Sequence, residues 1–330
     1  MSFLKRLTMG IAGLLLAAVA PASEISIGYQ TGIEPGKLAI AAGDYEKATG
    51  ANIKWHRFDN GAELIRAMAS GDIEIGNLGS SVVATAASRR LPIEVFLVAS
   101  ELGGSEALVV RNGSGITGPE GLIGKTIAVP FVSTAHYSLL SALKHWAIDS
   151  AKVKIINLRV SEIAAAWQRG DIDAAYVWEP GLGKIKETGK LLATSADVGK
   201  WGAPTFDLWV ARKDFAANHA DFLGKFVSVS LAKYAAYQAN PAAFSSDPEN
   251  LDKLARVTGA KPEDIKALLG GDYYPAAEGQ LRLLGGTVGK AIADTALFLK
   301  AQGQLDAVLP DYGGFVTDRF IRPFQEGKLP

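Results

Sequence analysis

From Glu24 onward the chain alternates short runs, apolar at every second position, with longer stretches whose apolar residues recur every three or four. Glu24 to Gln30 has the two-residue period of a strand and leads into a loop, Thr31 to Gly36. Lys37 to Thr49 reads as one helix, stopped by Gly50. Asn52 to Phe58 reads as a second strand, and Asp59 or Asn60 as the cap of a helix from Gly61 to Ser70. Gly71 suits the position after a helix. Asp72 to Ile75 is a third strand, Gly79-Ser80-Ser81 opens the next helix, and Pro92 to Ala99 is an apolar strand. This β-α-β-α-β-α-β order predicts an α/β lobe around a mostly parallel sheet.

A second lobe follows. Its expected strands are Ser105 to Arg111, Lys125 to Pro130, Lys152 to Leu158, Ala174 to Val177 and a short Leu191 to Thr194; Ala135 to Ala147 is its clearest helix. One unit occurs in both lobes. Glu63 leads into Gly71-Asp72-Ile73-Glu74 as Glu162 leads into Gly170-Asp171-Ile172-Asp173. The first copy delivers Gly79-Ser80-Ser81 and the second Trp178-Glu179-Pro180. Thr205 to Arg212 likewise resembles Ser105 to Arg111, with Asp207 in the place of Glu106. These two strands are expected to cross between lobes. The expected organisation is residues 23–104 with 208–330 as one lobe and 105–207 as the other, with a helical C-terminal region packed on the first. Helices are expected there at Asp214 to Tyr237, Pro248 to Thr258, Pro262 to Leu269, Thr287 to Gln302 and Asp318 to Phe324.

The start of the chain is different. Lys5 and Arg6 precede an apolar run, Met9 to Ala20, and Ala20-Pro21-Ala22 fits a cleavage site. Residues 1–22 are therefore read as a secretory signal peptide, too short in its apolar part to span a membrane, and the expected location is the periplasm. The 34 basic and 34 acidic residues balance, which gives no attraction for nucleic acid. Without Cys there is no disulfide or thiol chemistry, and the four His show no ligand spacing, so neither metal nor cofactor is expected.

Two loops suit an anion. Gly79, Ser80 and Ser81 offer backbone N–H groups and hydroxyls at a helix start; Ser133 and Thr134 do the same before His136 and Tyr137. Both follow the C-terminal end of a strand, where open α/β sheets place ligands. Plain N-capping is the alternative for each. Glu106 and Asp207 lie in apolar strands, where a lone carboxylate is costly. They face a bound ammonium, pair with Arg111, Arg212 or Lys213, or point to solvent. Gln30 and Glu34 follow the first strand and can reach the same cleft. Tyr29, Tyr137, Trp178 and Trp201 fall in or beside loops, whereas Trp146 and Trp167 have core spacing. No catalytic group is assigned: Gly124-Lys125-Thr126 lacks the earlier Gly of a phosphate loop, and Gly79-Ser80-Ser81 is not G-x-S-x-G.

These segments resemble a family. Y-Q-T at Tyr29, G-N-L-G-S-S at Gly76, P-I-E-V-F-L at Pro92, S-E-A-L-V-V at Ser105, I-A-V-P-F-V-S-T-A-H-Y at Ile127, A-A-W-Q-R-G-D-I-D at Ala165 and W-G-A-P-T-F-D-L-W-V at Trp201 are similar to the nitrate/sulfonate/taurine group of ABC-importer solute-binding proteins. The resemblance implies a two-lobe type II periplasmic-binding-protein fold without enzymatic activity. It implies capture of taurine or a close amino-sulfonate and delivery to a membrane permease with its cytoplasmic ATPase. Other aliphatic sulfonates, small oxyanions or an exported enzyme on this fold are the alternatives. It also implies a sulfonate on the Ser-rich helix starts and an ammonium on the acids Glu106 and Asp207; Trp178, in a loop beside them, is expected from its residue type to cover the alkyl chain. The loop Thr31 to Pro35 and Glu179 after Trp178 depart from the pattern, and an extra acid there would alter preference among amino-sulfonates.

Overall fold

The computed structural model describes residues 24–325, so the signal-peptide reading of 1–22 lies outside the described residues. The strands are β1 (Ile25–Tyr29), β2 (Ile53–Arg57), β3 (Ile75–Gly79), β4 (Ile93–Glu101), β5 (Glu106–Arg111), β6 (Thr126–Val129), β7 (Lys154–Asn157), β8 (Ala174–Trp178), β9 (Gly189–Thr194) and β10 (Phe206–Arg212). They form two five-stranded sheets of order β2-β1-β3-β10-β4 and β7-β6-β8-β5-β9. In each sheet the first three strands run parallel, and the fourth is antiparallel to both of its neighbours. Position for position the sheets match, so β10 and β5 are equivalents, as are β3 and β8. The internal repeat is therefore a repeat of place as well as of sequence. In both copies the helix ends on a left-handed glycine, Gly71 at φ 93° and Gly170 at φ 78°, which a side chain would strain.

The chain enters the second sheet at Glu106 and returns to the first at Phe206, two residues before the expected 208. β10 does not merely cross: it is inserted between β3 and β4, so the first sheet is incomplete until the second has been built. Several boundaries differ from expectation. The single helix expected at 37–49 is two, Lys37–Ala42 and Asp44–Thr49, because Gly43 takes a left-handed conformation (φ 67°) and its N–H closes the first. β3 starts at Ile75 rather than Asp72, since Asp72 and Ile73 still bond back to the Ala67 carbonyl at the end of the preceding helix. The helix expected at 214–237 is Lys213–Asn218 and Ala220–Ala239, interrupted at His219.

The helical C-terminal region packs on the first sheet. Trp209 of β10 is fully buried between Trp55 (6.5 Å) and Phe226 (5.0 Å), and Phe226 stacks on Tyr45 at 4.3 Å. The Gln280 side chain bonds both the N–H and the carbonyl of Val98. The same region also reaches the second lobe. Phe298 meets Tyr137 edge-on at 5.1 Å, Lys261 pairs with Glu187, and Asp272 accepts from Gly103 N–H (2.8 Å) and Ser105 Oγ (2.5 Å), pinning the strand-to-strand crossing.

Candidate functional site

The two sheets face each other across a cleft lined by Gln30, Gly32, Gly79, Val82, Leu102, Ser105, Glu106, Ser133, Thr134, Trp178 and Asp207. The register explains the convergence. Asp207 is directly opposite Gly79 in the first sheet, and Glu106 directly opposite Trp178 in the second. Each acid thus sits beside the last residue of the matching strand, where the sheet opens towards the ligand position of an α/β fold.

The cleft is closed. Thr31 Oγ1 donates to the Glu179 carbonyl at 2.6 Å, Ser161 Oγ to Asp59 at 2.8 Å, and Arg159 pairs with Glu63 at 2.7 Å. Gly79 stands so near Thr134 that a Cβ on it would lie 2.8 Å from Thr134 Cγ2. Only glycine permits that approach.

The two helix starts are not alike. The helix Ser80–Ser88 has no side-chain cap, so its first backbone N–H groups are unclaimed by any side chain and add to the positive end of the helix dipole. Ser80 Oγ instead accepts the Phe206 N–H at 3.2 Å, and Ser81 Oγ is buried without a partner. The helix Thr134–His145 is capped: Ser133 Oγ accepts the His136 N–H at 3.1 Å and donates to the Pro130 carbonyl at 2.5 Å. At Ser133 the capping alternative holds for the side chain. Trp178 Nε1, on the cleft wall, is a donor with no acceptor.

The two acids also differ. Glu106 is buried with both oxygens engaged, Oε1 by Thr134 Oγ1 (2.7 Å) and Oε2 by Ser195 Oγ (2.9 Å). Burial pushes its pKa up to about 8 against the pull of those hydroxyls. Asp207 is partly exposed to the cleft and has no hydrogen-bonded partner among the described residues; burial raises its pKa, and Lys37 opposes the rise. Neither acid pairs with the arginines or the lysine considered from sequence. Arg111 bonds Asp173, Arg212 bonds Asp214, and Lys213 bonds the Gly314 carbonyl.

Five of the twelve site residues expected from sequence do not line the cleft. Glu34 is buried behind it; its Oε2 accepts the Gly36 N–H at 2.7 Å, and burial pushes its pKa up to about 7. Ser80 and Ser81 lie in the first turn behind Gly79, leaving their backbone rather than their hydroxyls for a ligand. His136 stacks on Phe131 (4.5 Å), with burial holding its pKa down at about 4, and Tyr137 turns to Phe298. His136, two residues along the helix from Thr134, faces the opposite side, whereas Tyr137, three along, lies nearly on the Thr134 side but a turn further on, where it meets Phe298. Among the aromatics, Tyr29 packs on Trp55 and Trp201 stacks on His145, away from the cleft. Glu179 turns from the cleft as well, into a buried position: its carboxylate accepts the Gly183 N–H at 3.1 Å and stands beside Asp264, and only its carbonyl serves the closed cleft.

Sequence reasoning missed Ser195, Lys37 and Asp272. Ser195 follows a Thr cap and opens a helix directly after β9, a signal of the same kind as Ser133-Thr134. Lys37 and Asp272 carried no local signal.

A pair of matched α/β sheets with switched antiparallel strands, closed over an anion-suited helix start and a free carboxylate, defines a two-lobe binding protein of the periplasmic type. Residues 23–254 match the substrate-binding domain of ABC-type glycine betaine transport systems, and the chain belongs to that family. It is 50% identical over 98% of its length to the full taurine-binding periplasmic protein of Escherichia coli K12. A putative aliphatic sulfonates-binding protein of Bacillus subtilis 168 is 28% identical over 62% of this chain and 63% of its own. The alkanesulfonate-binding protein of Xanthomonas axonopodis pv. citri, solved with MOPS bound, shares the fold with a TM-score of 0.71 at 22% identity, covering 88% of this chain and 97% of that one.

Proposed function

We propose that this protein is a non-enzymatic solute-binding component of an ABC importer that captures taurine, or a close amino-sulfonate, between its lobes. Residues 23–104 with the chain from β10 onward form one lobe, and the residues between them form the other, two residues short of the expected boundary at 207. The carrying observation is two groups of opposite polarity side by side on the first-sheet wall of one small cleft: uncapped helix N–H groups at Gly79, Ser80 and Ser81, and a free carboxylate at Asp207. A zwitterion with a sulfonate and an ammonium two carbons apart satisfies both. The Trp178 indole N–H supplies a further donor to the sulfonate and its ring covers the alkyl chain. Gln30, Ser133 and Thr134 complete the wall. Glu106 is the secondary acid, held in place by Thr134 and Ser195. The relative from Escherichia coli supports the ligand class.

The protein is exported to the periplasm through residues 1–22 and hands its ligand to a membrane permease with a cytoplasmic ATPase. Calorimetry with taurine and with ethanesulfonate tests the ligand reading. Tight 1:1 binding of taurine is expected, with ethanesulfonate weaker by roughly one to three kcal/mol or more, because it leaves a carboxylate unpaired in the closed cleft. Equal binding of both would move the protein to aliphatic sulfonates in general, and binding of neither would remove the ligand class.

A further inference from the structure

Lys37 is fully buried, opens the helix Lys37–Ala42, and does not line the cleft. Its Nζ donates to the Gly32 carbonyl. Gly32 does line the cleft, and a Cβ built on it would meet Asp207 Oδ2 at 3.2 Å. The Gly32 peptide is thus a thin partition with an ammonium on one side and the Asp207 carboxylate on the other. The remaining titratable groups that act on this cluster are acids or phenols. Glu34 lies on the Lys37 side with Tyr45 and Tyr234 acting on it, Glu106 comes from β5, and Asp272 and Tyr274 come from the C-terminal region. Lys37 is the cation among them. Burial lowers the Lys37 pKa, and the Glu34 and Asp207 carboxylates beside it oppose that fall.

We propose that Lys37 is a positioning residue for ligand selection: from behind the Gly32 turn it keeps Asp207 a carboxylate, so that the cleft requires a cationic head group on the ligand. This rests on the reading of Asp207 as the ammonium site. Without Lys37, Asp207 sits among Glu34, Glu106 and Asp272 with no opposing charge, and takes up a proton nearer neutral pH. A protonated Asp207 no longer distinguishes an ammonium from a methyl group.

The test is the ratio of ethanesulfonate to taurine Kd at pH 8.5 and pH 6, measured calorimetrically on the wild type, Lys37→Met and the double variant Glu34→Gln/Lys37→Met. The double variant removes both buried charges together and serves if the single variant does not fold. In the wild type the ratio is expected to stay high at both pH values. In the variants it is expected to collapse by about tenfold or more between pH 8.5 and pH 6, one pKa unit being tenfold. Ethanesulfonate binding should be no weaker. A uniform loss for both ligands at both pH values, or a ratio as flat as in the wild type, would reduce Lys37 to a structural lysine and overturn the inference. A wild type without preference for taurine would instead overturn the ammonium reading of Asp207 itself.

Discussion

Thr134 Oγ1 donates a 2.7 Å hydrogen bond to Glu106 Oε1, so the residue at the start of the second-lobe helix and the acid of the crossing strand are one unit. The hydroxyl that sequence offers to an anion is already committed to the Glu106 carboxyl group. Thr134→Val removes that donor and leaves Glu106 Oε1 buried and unpaired. A loss of about 1–3 kcal/mol in unfolding free energy is expected by denaturant titration. Thr134→Ser, which retains the donor, should recover most of it.

Asp207 is the acid with room for a ligand. Asp207→Asn keeps the shape and removes the charge. Taurine affinity should fall at least about tenfold while ethanesulfonate affinity holds or improves. An equal loss for both ligands in calorimetry would speak against an ammonium at this residue.

Gly79 meets Thr134 across the closed cleft, a contact that any opening of the lobes would release. Its own backbone (φ −67°, ψ 148°) accepts alanine without strain, but the new methyl would strike Thr134 across the cleft. Gly79→Ala should therefore leave the thermal midpoint of the ligand-free protein nearly unchanged. Ligand affinity should fall by roughly 1–3 kcal/mol, the usual cost of overpacking.

The hydrogen bond from Thr31 to the Glu179 carbonyl joins the lobes far from either sheet's interior. Its net worth is about 0.5–1.5 kcal/mol. Thr31→Val should speed ligand release by roughly two- to tenfold in stopped-flow measurements, with a smaller change in the association rate.

Stability should depend on pH in a direction set by the buried acids. Glu106 keeps its proton to about pH 8 in the folded protein, and Glu34 and Asp272 keep theirs to about pH 7, against about 4 when unfolded. Between these limits the folded state binds more protons, so stability falls as pH rises. His136, held at about 4, acts in the opposite sense below pH 6.5, where its unfolded form charges. Above pH 6.5 His136 no longer opposes the acids. Ligand-free protein should lose about 2 kcal/mol from Glu106 between pH 6.5 and 8, and Glu106→Gln should flatten the curve in chemical denaturation.

Much of the architecture is written locally. Alternating apolar residues identify the strands. Gly71 and Gly170 end their helices because each must turn left-handed. The two acid-bearing segments resemble each other because β5 and β10 occupy the same slot in two matched sheets. The candidate site was legible where a strand end and its register bring residues together: Gly79 with Asp207, Trp178 with Glu106.

Direction and partnership were not legible. That His136 turns from the cleft follows from which side of its helix Thr134 presents, and that Tyr137 does so follows from its contact with Phe298 of the C-terminal region; packing alone settles both. That Ser133 is spent on a cap while the Ser80 helix is left uncapped depends on a proline carbonyl and the Phe206 N–H, one nearby in sequence and one 126 residues away. That Glu106 is saturated and Asp207 free depends on Ser195, supplied by a helix after β9. A strand's period records which residues share a face, because the backbone repeats every two residues. It holds no record of which hydroxyl or ammonium from a distant segment will stand opposite a carboxylate, since that is decided when the two sheets and the C-terminal helices close around it.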